Sequence, residues 1–148
     1  MKNNQPIVVG YRHTGIITHD ISKSLHFYRD ILGFEVLEEF EESGYYIDTI
    51  TNLKNSTAHF YKLQAKDGTI IELLEYPSHK TEPFNLSIIN VGLCHIALRV
   101  ENSEKAYKKL IDQNIKVLSE PIPSTCGKAK VFFCMDPDNV RVEIVEML

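Results

Sequence analysis

The sequence predicts an α+β protein built from two βαβββ modules, and three observations lead to this prediction. First, the stretch HTGIITHDISKSLHFYRDI from His13 aligns with HIALRVENSEKAYKKLIDQ from His95, so that Lys23 falls on Lys105. Second, the later stretches TIIELLE and VRVEIVE each place a Glu inside a run of β-forming residues. Third, each repeat carries helix-capping residues and a turn signal in the same order. The repetition predicts, twice, a strand with a His, a helix, and three strands of which the last carries a Glu.

The first helix is predicted between Asp20 and Gly33. Asp20 can cap its N-terminus, the apolar residues Leu25, Tyr28 and Leu32 recur at a spacing of three to four, and Gly33 is a residue type that ends helices. The second repeat offers the same signals in the same order: a cap at Asn102 or Ser103, apolar residues at Ala106, Leu110 and Ile111, and a stop at Asn114. Each repeat therefore predicts one amphipathic helix after its first strand.

Two turn signals precede the last strands and help to set the module boundaries. Asp67-Gly68 comes just before TIIELLE, and Asp136-Pro137-Asp138-Asn139 comes just before VRVEIVE. We predict a first module at about residues 7–80, a connection at about 77–91 that contains Pro83, and a second module at about 92–148. A half of ~60–70 residues is marginal alone, so we expect both modules to form one domain over residues 1–148.

The composition excludes several classes of function. Apolar residues make up 43% and charged residues 24% of the chain, which is typical of a globular domain. The net charge of −4 provides no basic surface for nucleic acid. No apolar run approaches the ~20 residues of a membrane helix, and the N-terminus MKNNQPIVVG lacks the features of a signal peptide. Three cysteines without a Cys-x-x-Cys motif indicate a reducing compartment, so we expect a cytoplasmic protein that binds neither nucleic acid nor membrane.

Four residues at matching places in the two repeats are candidate metal ligands: His13, Glu72, His95 and Glu143. Taken singly, a strand His is more often packed or solvated than bound to a metal, and a Glu that alternates with apolar residues usually faces water. However, a Glu flanked by apolar β-formers is costly to bury unless it is paired or binds a metal. The coincidence of both residue types in both repeats favours a metal site. Two imidazole nitrogens and up to four carboxylate oxygens suit a borderline divalent ion.

Strand alternation identifies further candidates on the same faces. The residues two positions after each His are Gly15 and Ala97, whose small side chains would leave room for a metal and a substrate. The same counting puts Arg99 on the metal-facing side, where it could bind a substrate carboxylate or phosphate, or form an ordinary ion pair with a nearby Glu. His59 and Tyr61 are expected to bind substrate along the cleft, although His59 could equally pack there.

At four stretches the chain resembles the vicinal oxygen chelate superfamily, also called the glyoxalase/bleomycin resistance/dioxygenase fold. These stretches are HTGIITHDISKSLHFYRDILGFEV, DGTIIELLEY, GLCHIALRVEN and DPDNVRVEIVE, and together they span nearly the whole chain. The resemblance implies two βαβββ modules whose paired mixed sheets curl around an open metal cleft. It also implies one divalent metal ion held by the four ligands already identified, and a homodimer.

Among the branches of this superfamily, the ligand set looks most like that of bacterial glyoxalase I and is close to that of methylmalonyl-CoA epimerase. Glutathione-dependent glyoxalases usually carry an Arg and an Asn four residues after the first and second ligands, where this chain has Ile17 and Tyr76. The epimerases are similar in IELLE, in Arg99 and in EESG, where Glu42 matches a catalytic Glu. However, their usual stretch before the last strand is replaced here by CMDPDN.

The resemblance implies an enzyme that transfers a proton on the carbon next to a carbonyl through a metal-bound enolate, as a lyase or an isomerase. The metal would be Ni, Co, Zn, Mn or Fe, and the general base would be Glu143, Glu72 or Glu42. The substrate is expected to be a small carbonyl compound, free or carried on a thiol. Two alternatives stay open: an extradiol-type iron dioxygenase, and a non-catalytic protein that binds an antibiotic or a metabolite.

Overall fold

The computed structural model describes residues 6–82 and 87–148, and within these ranges it contains strands and helices in the predicted order. The first repeat forms β1 (Thr14–Ile17), α1 (Ile21–Leu25), a π-helical segment (His26–Ile31), β2 (Glu35–Ser43), α2 (Tyr45–Thr51), β3 (Thr57–Gln64) and β4 (Ile70–Glu75). The second repeat forms β5 (Ile96–Val100), α3 (Ser103–Asp112), β6 (Ile122–Pro123), β7 (Ala129–Met135) and β8 (Arg141–Met147). The predicted α+β class with two βαβββ modules is confirmed.

The strands form two mixed four-stranded sheets with the same topology. The strand order is β1-β4-β3-β2 in one sheet and β5-β8-β7-β6 in the other. In each sheet the first strand of the repeat pairs in parallel with the last, while the remaining pairs are antiparallel. The last strand of each repeat therefore occupies an interior position in its sheet, beside the first strand of the same repeat. This pairing brings the His that precedes the first strand close to the Glu on the last strand of the same repeat.

Contacts divide the chain into two compact units. The first unit runs to Ile17 and resumes over Phe34–His79, so it contains the first sheet and α2. Its core cluster consists of Ile47, Ala58 and Phe60, against which partly buried Phe40 and Leu74 pack. Helix α2, which the sequence patterns did not predict, supplies Ile47 to this cluster.

The second unit combines Thr18–Gly33 with the residues from Lys80 onward. The helix of the first repeat thus packs with elements of the second repeat. Tyr28 donates a hydrogen bond of 2.9 Å to Asp136, and the Thr18 hydroxyl donates one of 2.7 Å to Asp138. Both acceptors lie in the turn between β7 and β8. The predicted module boundaries remain predictions, because the units defined by contacts follow a different division.

The first helix begins and ends where predicted, but its buried stripe differs. The Asp20 side chain accepts a hydrogen bond from the Lys23 amide at 3.2 Å, and Gly33 after the helix has a φ of +86°. The buried apolar residues of the helix are Phe27, Tyr28 and Ile31, whereas Leu25 and Leu32 of the predicted stripe are only partly buried. The amide of Leu32 bonds to the carbonyl of Phe27, five residues earlier, and this wider π-helical turn rotates the buried face.

The second helix confirms both of its predicted ends. The Asn102 side chain accepts a hydrogen bond of 2.8 Å from the Lys105 amide, so Asn102 is the cap. At the other end Asn114 has a φ of 56°, and the Ile115 amide bonds to the carbonyl of Leu110 at 2.9 Å. This is a Schellman-type helix end, in which the left-handed residue reverses the chain. Leu110 is buried as predicted, while Ile111 is exposed.

Both predicted turns connect the strands expected. Gly68, with a φ of +89°, lies in the tight turn between β3 and β4, where the Asp67 side chain accepts a bond from the Thr69 amide. Between β7 and β8, Asp136 accepts bonds from the amides of Asp138 and Val140. In the connection at 77–91, the described residues form neither helix nor strand, and Pro83 lies outside the described residues. Within the described ranges, no helix is long and apolar enough to cross a membrane.

Candidate metal centre

The first candidate pair, His13 and Glu72, lies on one face of the first sheet. His13 immediately precedes β1, and Gly15 lies directly opposite Glu72 in the parallel register of β1 and β4. His13 and Gly15 share a face because strand side chains alternate. The Nε2 atom of His13 is 3.3 Å from a carboxylate oxygen of Glu72, whose residue is only 8% exposed. The predicted placement of a small residue beside the pair is therefore observed.

The second pair repeats this geometry in the other unit. His95 immediately precedes β5, Ala97 lies opposite Glu143, and His95 Nε2 is 3.1 Å from a Glu143 carboxylate oxygen. On its other side, the ring nitrogen Nδ1 of His95 is 2.9 Å from the sulfur of Cys94. The ring also makes an edge contact with Phe133, with centroids 5.3 Å apart. In both pairs Nε2 points at the carboxylate.

These donor atoms fit a divalent metal ion. Each pair offers one imidazole nitrogen and one carboxylate, which are ligands that borderline metals accept. Among the described residues, no group of three or more His, Cys, Asp or Glu side chains could hold a metal ion. Each pair alone thus provides two candidate ligands.

Lys62 is a neighbour of Glu72 that the sequence patterns missed. Lys62 lies directly opposite Glu72 on the adjacent strand and opposite Glu38 on its other side. Its ammonium binds Glu38 at 2.5 Å and lies 4.8 Å above the centre of the Phe40 ring. The turn at Asp67-Gly68 could have predicted that Lys62 pairs with Glu72, because a tight turn fixes which residues of β3 and β4 lie opposite each other.

Tyr76 lies further along the Glu72 face, two residues beyond Leu74. Its side chain packs against the cluster of Ile47, Ala58 and Phe60. Burial is the main reason that the pKa of Tyr76 is raised, and the nearby charge of Glu72 raises it further. The phenol therefore stays neutral and lies within electrostatic range of a candidate ligand.

His59 and Tyr61, the predicted substrate-binding residues, lie on the opposite face of the first sheet from Glu72. Tyr61 pairs with Leu73 and Lys62 pairs with Glu72, so alternation sends His59 and Tyr61 to the other side. There His59 contacts Glu41 at 2.8 Å, and the Tyr61 hydroxyl donates a bond of 3.0 Å to Glu39. The structure does not bring these two residues to the first pair.

Glu42, the third candidate base, shares the face of Glu72 but lies further along the strand direction of the sheet. It is opposite Ala58, four residues along β3 from Lys62. Four residues of an extended strand span about 13 Å, so Glu42 is not adjacent to the His13–Glu72 pair in its own unit.

Arg99 lies on the face of Glu143, as the alternation predicted. It pairs with Val145, two residues beyond Glu143, and its side chain is exposed. Arg99 makes no ion pair or hydrogen bond with any residue that the structure describes, and Glu104 is occupied by Lys130 at 3.0 Å. The guanidinium is thus available on the ligand face rather than neutralised by a neighbouring Glu.

The sequence profile of the Glyoxalase/Bleomycin resistance protein/Dioxygenase superfamily matches residues 10–144. The chain belongs to this superfamily. The match spans all four candidate ligands, and it confirms the superfamily resemblance predicted from the sequence. A probable lactoylglutathione lyase from Synechocystis is 30% identical over 136 residues, which cover 90% of this chain and 92% of the relative.

Two further comparisons extend this superfamily assignment. A lactoylglutathione lyase from Escherichia coli O157:H7 is 27% identical, with 90% of each chain covered. A crystal structure of a glyoxalase family protein from Bacillus cereus superposes with a TM-score of 0.88 over 100% of this chain and 99% of its own. At 14% identity that likeness concerns the fold alone. The superfamily fold thus covers the whole chain.

Proposed function

We propose that this superfamily member is a divalent-metal-dependent enzyme that transfers a proton on the carbon next to a carbonyl group, as a lyase or an isomerase. The observation that carries the proposal is the repeated His–Glu geometry. In two sheets of the same topology, a His just before the first strand points its Nε2 at a Glu on the last strand, at 3.3 Å and 3.1 Å. The recurrence of the same register in both repeats supports a common role for the two pairs.

We infer that His13, Glu72, His95 and Glu143 together bind one Ni, Co, Zn, Mn or Fe ion. When bound, such an ion supplies Lewis acidity that stabilises negative charge on the carbonyl oxygen. A four-ligand set of two imidazoles and two carboxylates supports the glyoxalase-like branch over an extradiol iron site, which takes two His and one carboxylate. The names of the lactoylglutathione lyase relatives support lyase chemistry.

The chain's own carboxylates would move the proton. A carboxylate oxygen of Glu143 or Glu72 would accept it from the substrate carbon and return it to the neighbouring carbon. Glu72 is the more buried of the two, which favours it as a base shielded from water. Glu42 is a weaker candidate because its register position separates it from Glu72.

We further propose a cytoplasmic homodimer that acts on a small carbonyl compound. Three free cysteines support a reducing compartment. Several large apolar side chains are almost fully exposed in the single chain, including Ile7, Val9, Ile89 and Val91, and burial of such residues stabilises association. The superfamily resemblance also supports a dimer, and light scattering on the purified protein measures the oligomeric state directly.

The experiment that tests the proposal is a metal analysis of the purified protein followed by a reaction screen. We expect about one metal per chain, and exchange of the substrate α-proton in deuterated water with methylglyoxal hemithioacetals or acyl-CoA thioesters. Oxygen consumption with a catechol would instead establish the dioxygenase alternative. A protein that binds small molecules, retains no metal and exchanges no proton would establish the non-catalytic alternative.

A further inference from the structure

Two arginines flank Glu143 on the same face of the second sheet. Arg141 lies two residues before Glu143 on β8, and Arg99 pairs with Val145, two residues after it. Because β5 and β8 are parallel, the two arginines lie on opposite sides of the Glu143 level, each about 7 Å along the sheet. Two of the four arginines of the chain thus occupy this one face.

The side-chain contacts of the two guanidiniums decide whether they are free to bind a ligand. Within the described ranges, the side chains of Arg99 and Arg141 form no ion pair and no hydrogen bond. Two carboxylates close to Arg99 in sequence or register have other partners: Glu104 binds Lys130 at 3.0 Å, and Glu146, on the opposite face of β8, accepts bonds from Ser103 at 2.6 and 2.9 Å. Two unpaired guanidiniums on a ligand-bearing face are available for an anionic ligand.

The position of Glu143 decides how many anionic groups fit. A single anion midway between the arginines would approach the Glu143 carboxylate, and like charges repel at that range. Two anionic groups, one at each arginine, avoid this repulsion and leave the centre of the ligand at the His95–Glu143 pair. The floor between the arginines is apolar or small, with Ala97, Phe133 and Val145 on the same face.

We infer that Arg99 and Arg141 form a two-armed anion subsite that takes a dicarboxylate, with one carboxylate on each side of the reacting carbonyl. The inference rests on the proposed function for the position of that carbonyl. Each arm binds its carboxylate through paired N–H donors, the geometry at which a guanidinium excels. The carbon skeleton crosses the floor formed by Ala97 and Val145. The subsite therefore selects a diacid over a monoacid of the same length.

Calorimetric titration with glutarate and pentanoate, a monoacid of the same chain length, tests the subsite, with succinate and adipate as length variants. We expect the best diacid to bind at least about tenfold more tightly than pentanoate, and Arg99→Met or Arg141→Met each to remove about that factor. The double variant should bind glutarate no better than pentanoate. Arg29→Met is the matched control, because Arg29 belongs to the π-helical segment and already pairs with Asp30 at 2.6 Å. This variant should bind as the parent does.

The outcomes separate this subsite from the proposed function. Metal content is measured in every variant and should not change, since neither arginine is a proposed ligand. Diacid preference in a protein that retains no metal would support the subsite and contradict the metalloenzyme. A protein that retains metal and exchanges the proton but shows no diacid preference would overturn the subsite alone. The subsite would also be overturned if inorganic phosphate bound more tightly than every diacid and needed both arginines for that binding.

Discussion

Tyr28 donates a hydrogen bond of 2.9 Å to Asp136, and both side chains are buried. The bond joins the helix of the first repeat to the turn that precedes the last strand of the second repeat. Burial is the main reason that the pKa of Asp136 is raised, although the amides of Val140 and Asp138 oppose the shift. Burial, followed by the charge of Asp136, raises the pKa of Tyr28 well above its ordinary value. The phenol must therefore stay protonated in the folded protein.

This pair predicts a loss of stability at alkaline pH. A tyrosine whose folded pKa lies above its unfolded pKa contributes stability that is full below about pH 10 and falls as the pH rises above it. Tyr28→Phe should flatten this fall, at a cost of about 1–2 kcal/mol in the free energy of unfolding at pH 7. Urea unfolding between neutral and strongly alkaline pH measures both effects. Tyr45→Phe, at a residue that is 88% exposed, is the control, and equal alkaline slopes in both variants would contradict the prediction.

The proposed ligands predict loss of metal in single variants. His95→Ala and Glu143→Ala should each reduce metal content well below one per chain and lower the Tm by an amount that depends on free metal. Elemental analysis and thermal unfolding with and without added metal measure this. His26→Ala and Glu39→Ala change the same residue types away from the pairs and should keep the metal. Full metal retention in both ligand variants would refute the assignment.

The positions of Ile17 and Tyr76 predict weak activity on glutathione substrates. Ile17 pairs with Leu74 on the Glu72 face and is 57% exposed, so it offers an apolar surface where a substrate carboxylate would need a charged partner. We expect a kcat/KM below about 10⁴ M⁻¹s⁻¹ with the glutathione hemithioacetal of methylglyoxal. Ile17→Arg should raise it, while Ile50→Arg, at an exposed residue of α2, should not. Robust turnover by the parent protein would overturn this prediction.

Lys62 predicts opposite effects of two substitutions on metal affinity. Lys62→Met removes a cation beside Glu72 and should tighten metal binding roughly two- to tenfold. Glu38→Gln frees the Lys62 ammonium to approach Glu72, so it should weaken metal binding by a similar factor. Competition with a chelating dye measures both affinities. The double variant should resemble Lys62→Met. A loss of affinity in all three proteins would instead mean that the ion pair only supports packing.

Local signals in the sequence were sufficient for much of this fold. Caps at Asp20 and Asn102 and the left-handed stop at Asn114 act within a few residues, so a single stretch of sequence determines them. The repeat added a second kind of information, since matching His and Glu positions in both halves indicated that each pair would meet. The position of Gly15 and Ala97 on the same face as the two Glu residues was predicted from the two-residue period of strands.

Tertiary structure decided which side chains share a face and which elements pack together. Lys62, rather than His59 or Tyr61, lies beside Glu72 because the pairing of β3 with β4 fixes the face of every residue, and a shift of one position would reverse it. The first helix packs in the unit of the second repeat because its buried Tyr28 meets a carboxylate 108 residues away. Strand pairing and burial depend on partners distant in the chain, whereas helix caps and turns depend only on neighbouring residues. This difference in separation along the chain divides what the sequence determined from what the folded chain decided.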